Sequence, residues 1–293
     1  MRRWRAHATL LILCAIPGVA FAHGPSAWPG WTLDPWVTLP LALSLLWFNA
    51  GYARLRARER RPGTHRRQAH LFWLGWLVLA AALVSPLHEA GERSFSAHMF
   101  EHELLMLAAA PLLVLTRPIG IALWALPNAW RTRCAALGRS RWFAAAWQAL
   151  THPLPATLLQ ALALWLWHAP RLFDLALAQP GWHIAQHVSF LATALLFWSA
   201  VLVAHRAKPA LAIGCLFFTA TISGALGAFM ALSSSPWYAG YARLGMAPFG
   251  LTPAEDQQLA GLLMWIPGGL VHAVAALVLL ARSLRERTLE PSP

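Results

Sequence analysis

Lysine is nearly missing from this chain: Lys208 stands alone among 23 basic residues, the other 22 being arginine. Acidic side chains are almost as scarce, 11 in 293 residues, and all charged residues together make up only 12% of the sequence. So little charge cannot cover the surface of a soluble enzyme of this length, and 58% hydrophobic residues point instead to a polytopic membrane protein. Cysteine is equally sparse. Cys14, Cys134 and Cys215 lie far apart and form no CxxC, which excludes a thiolate metal centre and a disulfide framework. Neither HExxH nor a nucleophile elbow occurs, so the metal-assisted hydrolase that Glu101 or Glu103 could serve as base lacks its signature. Long repeats and low-complexity segments are absent too. With no catalytic set in view, the chain reads as non-enzymatic.

Tryptophan, by contrast, is plentiful: 17 residues, of a type that favours the membrane interface. The N-terminus carries Arg2, Arg3 and Arg5, a short apolar run from about Ala8 to Ile16, and Ala20-Phe21-Ala22, the plan of a secretory signal peptide over 1–22. Cleavage there leaves His23 first in a single bundle domain, 23–293, with an amine and an imidazole that could chelate copper, although a place beside a cleavage site is the better account of it. Seven apolar runs follow, at about 36–53, 70–87, 97–115, 152–169, 183–204, 209–232 and 258–281, each near the ~20 residues of a bilayer crossing.

The net charge of +12 would suggest nucleic acid in a soluble protein, but the arginines are gathered between the apolar runs. Arg54 to Arg67, Arg117 to Arg141, Arg206 with Lys208, and Arg282 to Arg287 fall on one side, against Arg93, Arg171 and Arg243 on the other. The positive-inside rule then predicts an all-α transmembrane bundle with its N-terminus outside and its C-terminus in the cytoplasm. No nucleic-acid partner is expected; the partner is the lipid bilayer. The short segment 118–130, with Pro118 and Pro127, reads as an interfacial or re-entrant piece. Ser223 and Gly227 form a small-xxx-small pair, and Pro267-Gly268-Gly269 predicts a kink in the last span.

Sorted by depth in this topology, the histidines are uneven. His88 ends the second span, His98 and His102 begin the third, His168 ends the fourth, and His183 and His187 begin the fifth, all toward the outer face. Two spans thus start with HxxxH, which sets two imidazoles one turn apart on one helix face. Ionisable groups in a membrane are costly and face a bundle interior or a watery cavity, so a shared metal-binding cluster is expected if these spans are neighbours. His272 lies alone in the last span, where a core hydrogen bond suffices. Imidazole suits copper, zinc or iron, and Met106, Met230 and Met264 tilt the choice toward copper. Bis-histidine haem ligation is the rival, disfavoured by the rim position of these residues. A metal-free scaffold is another.

The run Ala97-His98-Met99-Phe100-Glu101-His102-Glu103-Leu104-Leu105-Met106, with Ala109-Ala110-Pro111-Leu112-Leu113-Val114-Leu115, resembles the multi-pass CtaG family of cytochrome c oxidase assembly factors. So do Trp167-His168-Ala169-Pro170 with Phe173-Asp174, His183 with Gln186-His187-Val188-Ser189-Phe190-Leu191, and Asp256 to Gly269 in the last span. The likeness runs from about Trp36 to Leu284. It implies a bacterial inner-membrane protein of about seven helices, needed for maturation of haem-copper oxidase, with copper delivery as its chemistry and oxidase subunits or other copper chaperones as partners. Family histidine positions match His98, His102, His168, His183 and His187, with His168 and Asp256 as further ligands or orienting partners. Glu103 departs from the apolar or small residue expected there, which argues against a direct role for it. Oligomeric state is not readable from the sequence.

Overall fold

The computed structural model describes residues 29–59, 61 and 63–289; the predicted signal peptide, 1–22, and His23 lie outside the described residues. Those described form helices joined by short turns, with no strand among them. Asp34 caps α1 (Pro35–Arg56), its carboxylate accepting from the Trp36 amide at 2.9 Å, and Pro35 occupies the first turn, where a missing N–H costs nothing. α2 (Arg66–Val84) begins after the stretch 57–65, and α3 (Pro86–Arg93) and α4 (Phe95–Glu103) follow it almost without loops. Ser85 and Ser94 serve as single-residue joints, each extended and each capping the next helix with its hydroxyl.

From α4 the chain continues through a π-helical turn, Leu104–Ala109, into α5 (Ala110–Thr116). Arg117 then takes a left-handed conformation, φ 50°, and turns the chain into α6 (Pro118–Ala122). α7 (Asn128–Arg139) and α8 (Arg141–Leu150) complete an arginine-rich end. As expected, 118–130 does not cross the bundle. It packs on α1, where a Cβ on Gly51 would lie 2.2 Å from the Ile121 carbonyl oxygen and Trp47 Nε1 donates to Ala122 at 2.9 Å. Arg131 covers the Trp124 ring, 4.2 Å from its centroid, in a cation–π contact.

The remaining elements are α9 (Pro153–Trp167), α10 (Pro170–Ala178), α11 (Pro180–Ala207), α12 (Pro209–Leu232), α13 (Ala239–Leu244) and α14 (Pro253–Leu289). Helices stand at all seven expected positions, but they are not equal as crossings. Five of them, Arg66–Val84, Phe95–Thr116, Pro180–Ala204, Pro209–Leu232 and Pro253–Glu286, are long and apolar enough to span a membrane, and α8 with α9, bent by 61°, makes a sixth if taken together. α9 alone has only 15 residues, and α1, with 22, carries Pro35, Pro40 and Asn49 among its leucines. α14 runs through Pro267 as a single helix.

Small residues bring α12 and α14 together. A Cβ on Gly261 would lie 2.4 Å from Gly227 O, so these backbones touch directly, as small residues permit in membrane helices. The central element is α4–α5. Met99, Met106 and Ala110 enter a core shared with α9, α11, α12 and α14, whereas Leu105, Ala109 and Leu113 enter a second core with α1 and α2. A helix buried on both sides holds its side chains in fixed positions, and this one carries His98 and His102.

Candidate metal centre

The first turn of α4 is fixed by a residue 160 positions away. Asp256, in the first turn of α14, accepts from Phe95 N at 2.6 Å, Ser96 N at 3.2 Å, Ser94 Oγ at 2.9 Å and Ser96 Oγ at 2.5 Å. A carboxylate at a helix N-terminus satisfies amides that have no partner within the helix and complements the helix dipole. With both oxygens committed to α4, Asp256 is no ligand alongside the histidines, as the sequence had suggested it could be. It positions the helix that carries two of them.

The two HxxxH pairs meet. His98 Nε2 lies 3.0 Å from His102 Nε2, and His187 Nε2 lies 3.1 Å from that same His102 nitrogen. All three residues are buried. The hydrogens can be placed by donor accounting. Tyr241 gives its hydroxyl hydrogen to Gly91 O at 2.6 Å, so its oxygen accepts from His98 Nδ1 at 2.9 Å. Neutral His98 therefore turns an unprotonated Nε2 toward His102. His187 Nδ1 faces the Glu101 carboxylate at 3.7 Å, which favours a hydrogen on Nδ1 and again leaves Nε2 as a lone pair. His102 Nδ1 has no partner. With its hydrogen on Nδ1, His102 sets lone pair against lone pair in both close contacts; with it on Nε2, one hydrogen must serve two nitrogens and can point squarely at only one of them.

A cation between these nitrogens removes the conflict. Imidazoles bound to one metal at about 2.0–2.1 Å hold their nitrogens roughly 3.3–3.6 Å apart, a few tenths wider than observed. The partners beyond them also suit a metal, since ligating histidines normally donate their second N–H to a carboxylate or another fixed acceptor. Tyr241 fills that place for His98, and Glu101 for His187. Burial, and next the Asp256 carboxylate, hold the Tyr241 phenol well above its ordinary range, so it remains a neutral hydroxyl able to accept and donate.

The remaining predicted residues divide. His183 joins the cluster, its ring stacked on that of His98 with centroids 5.2 Å apart and its Nε2 buried without a partner. His168 stands aside: Nδ1 donates to Leu164 O at 2.7 Å, and Nε2 faces Met99 Sδ at 3.3 Å. Met106 is taken by Gln160, whose amide reaches its sulfur at 3.2 Å. The π turn begins two residues after His102 and widens the winding, so the 3.6-residue spacing that would continue the histidine stripe to Met106 does not hold there. Met230 sulfur lies 3.8 Å from Tyr238 Oη, and Met264 belongs to the core. Glu103 lies beside Gly268 and His272 on a separate cavity of about 30 Å³, away from the clustered histidines of α4 and α11. His272 itself donates Nδ1 to Gly268 O at 2.7 Å, the core bond expected of it.

Two residues named in the sequence, but not among the expected metal ligands, belong to the site. Glu101 is fully buried, its Oε1 accepting from His88 Nδ1 at 2.8 Å and its Oε2 unpartnered. Burial pushes the His88 imidazole down, and Glu101, through its hydrogen bond and its charge, lifts it back above its ordinary value. The signal for both was present: His88 shares the depth of the other histidines, and Glu101 lies between His98 and His102. What could not be read was that α3 folds back over α4 and sets the two side by side.

No solved structure matches the chain. Uncharacterized proteins of Mycobacterium bovis and Mycobacterium tuberculosis are each 27% identical to it over 248 residues, and one of Mycobacterium leprae is 26% identical over 254. These matches cover 80% of this chain but only 36–37% of the relatives, so the chain spans about a third of the length of the curated relatives it matches. The model of the cytochrome c oxidase caa3 assembly factor family, Caa3_CtaG, matches residues 46–286, which takes in the site histidines, Glu101, Tyr241 and Asp256. As the sequence motifs led us to expect, the chain belongs to that family.

Proposed function

We propose that this assembly factor binds copper as cargo and delivers it to the oxidase, without being an enzyme. The observation that carries this reading is the convergence of His98, His102 and His187 Nε2, two of them with their lone pairs directed by Tyr241 and Glu101. Imidazole donors suit copper, and the buried Glu101 carboxyl, beside two of the imidazoles, can give up its proton to offset the charge of the ion. Nitrogens at 3.0–3.1 Å leave no slot for a porphyrin, which argues against haem. The arginine distribution supports an inner-membrane protein with this site toward the outer face, where α1, α9 and the five long helices would together make seven crossings.

Metal analysis and an absorbance spectrum of protein purified from its own host test the reading together. Copper near one equivalent and no Soret band are expected; a Soret band or zinc alone would overturn it. Glu101→Gln keeps the shape and removes the charge. It should weaken copper binding by about 10–100-fold, the usual cost of losing such a partner, measured by competition with a copper(I) chelator.

A further inference from the structure

A second trio of histidines lies directly beside the first. His88, His183 and His187 offer ligand atoms all within 4.8 Å of one another, as do His98, His102 and His187. Their surroundings differ. His88, His183 and His187 line a cavity of about 580 Å³ between α1, α2, α10 and α11, whose wall also includes the carboxyl-bearing residues Asp34 and Glu92. His98 and His102 do not line it and are only 1% exposed. Glu101 serves both trios, accepting from His88 Nδ1 at 2.8 Å and facing His187 Nδ1 at 3.7 Å. The imidazoles of His88, His183 and His98 form a column, stacked at 5.3 and 5.2 Å between centroids, that leads from the cavity to the buried trio.

We infer that His88, His183 and His187 form a second metal station on the cavity side, through which a copper ion reaches the buried station of His98, His102 and His187. This rests on the reading of copper as cargo. His187 belongs to both trios, and a neutral imidazole has one unprotonated nitrogen to give. The two trios are therefore alternative positions for a single ion, with His187 holding it throughout. Acidic groups on the cavity wall raise the local concentration of cations there, while the inner position, with two nearly inaccessible imidazoles, resists extraction. His88 keeps Nε2 for the metal because Nδ1 is committed to Glu101. His183 has an idle buried Nε2 of its own.

The test uses the full-length protein in detergent, anaerobic, with copper(I) supplied on a weak chelator, and follows stoichiometry, loading rate and extraction by a strong chelator. Wild type should take up one equivalent. His183→Ala orphans no partner, and His88→Gln keeps a donor to Glu101; both variants should still reach one equivalent but load at least about tenfold more slowly. His98→Ala/His102→Ala should lose copper to the strong chelator at least about tenfold faster. Two equivalents in wild type, or unchanged loading in both His183→Ala and His88→Gln, would overturn the second station and leave the cargo reading standing. Wild-type protein that takes up no copper would remove both.

Discussion

Copper retention should be lost when His98 and His187 are replaced together by alanine. Of the buried trio only His102 remains, and the cavity-side trio loses the residue it shares. Neither His102 alone nor the remaining pair of His88 and His183 holds a metal against cellular chelators, so a fall in affinity of at least ~100-fold is expected. The measurement is metal content per protein after purification, beside the thermal midpoint of the same sample. Removing two buried rings leaves a void that costs stability in its own right. The pair His98→Gln/His187→Gln, closer in size and still able to hydrogen-bond Tyr241 and Glu101, separates the two effects. Copper equal to wild type in either double variant would refute the copper site. Assembly of an active oxidase in the glutamine variant would favour a metal-free scaffold.

The second large effect is expected far from any metal. Asp256→Ala should destabilise the protein by about 3–5 kcal/mol, because it strands the Phe95 and Ser96 amides and two hydroxyls in a buried place where water cannot replace the carboxylate. Asp256→Asn should recover only part of this, since its amide presents N–H groups where acceptors are needed. Thermal unfolding in detergent, wild type against both variants, measures it. A midpoint unchanged in Asp256→Ala would show that α4 holds its place without the cap.

Much of the fold was legible because apolar length and arginine placement obey the bilayer, which constrains sequence strongly. The HxxxH pairs were legible for a similar reason: four residues along a helix return to one face. What escaped was set by contacts between helices. Nothing in the local pattern around Asp256 marks it as the cap of another helix, and the pairing of Met99 with His168 depends on where α9 ends. Glu101 and Glu103 read alike in the sequence, two residues apart and flanking His102. In the bundle Glu101 meets His88 from α3 and Glu103 meets Gly268 from α14, so one joins the site and the other does not. α1 and α9 show the opposite limit: the first run holds proline and asparagine among its leucines, and the helix at the fourth, expected at 152–169, has only 15 residues.

The π turn at Leu104–Ala109 has a consequence for how this helix tolerates change. It acts as a phase shifter inserted between two keyed parts: α5 is keyed to α2 and α11, and α4 to α14 and α3. Deleting one residue within the turn would let ordinary helical winding resume, with every hydrogen bond in the ladder still available. Yet each residue advances a helix by about 100°, so with α5 seated, His98 and His102 would swing away from His187. A helix intact by every spectroscopic measure would then carry its imidazoles to the wrong side.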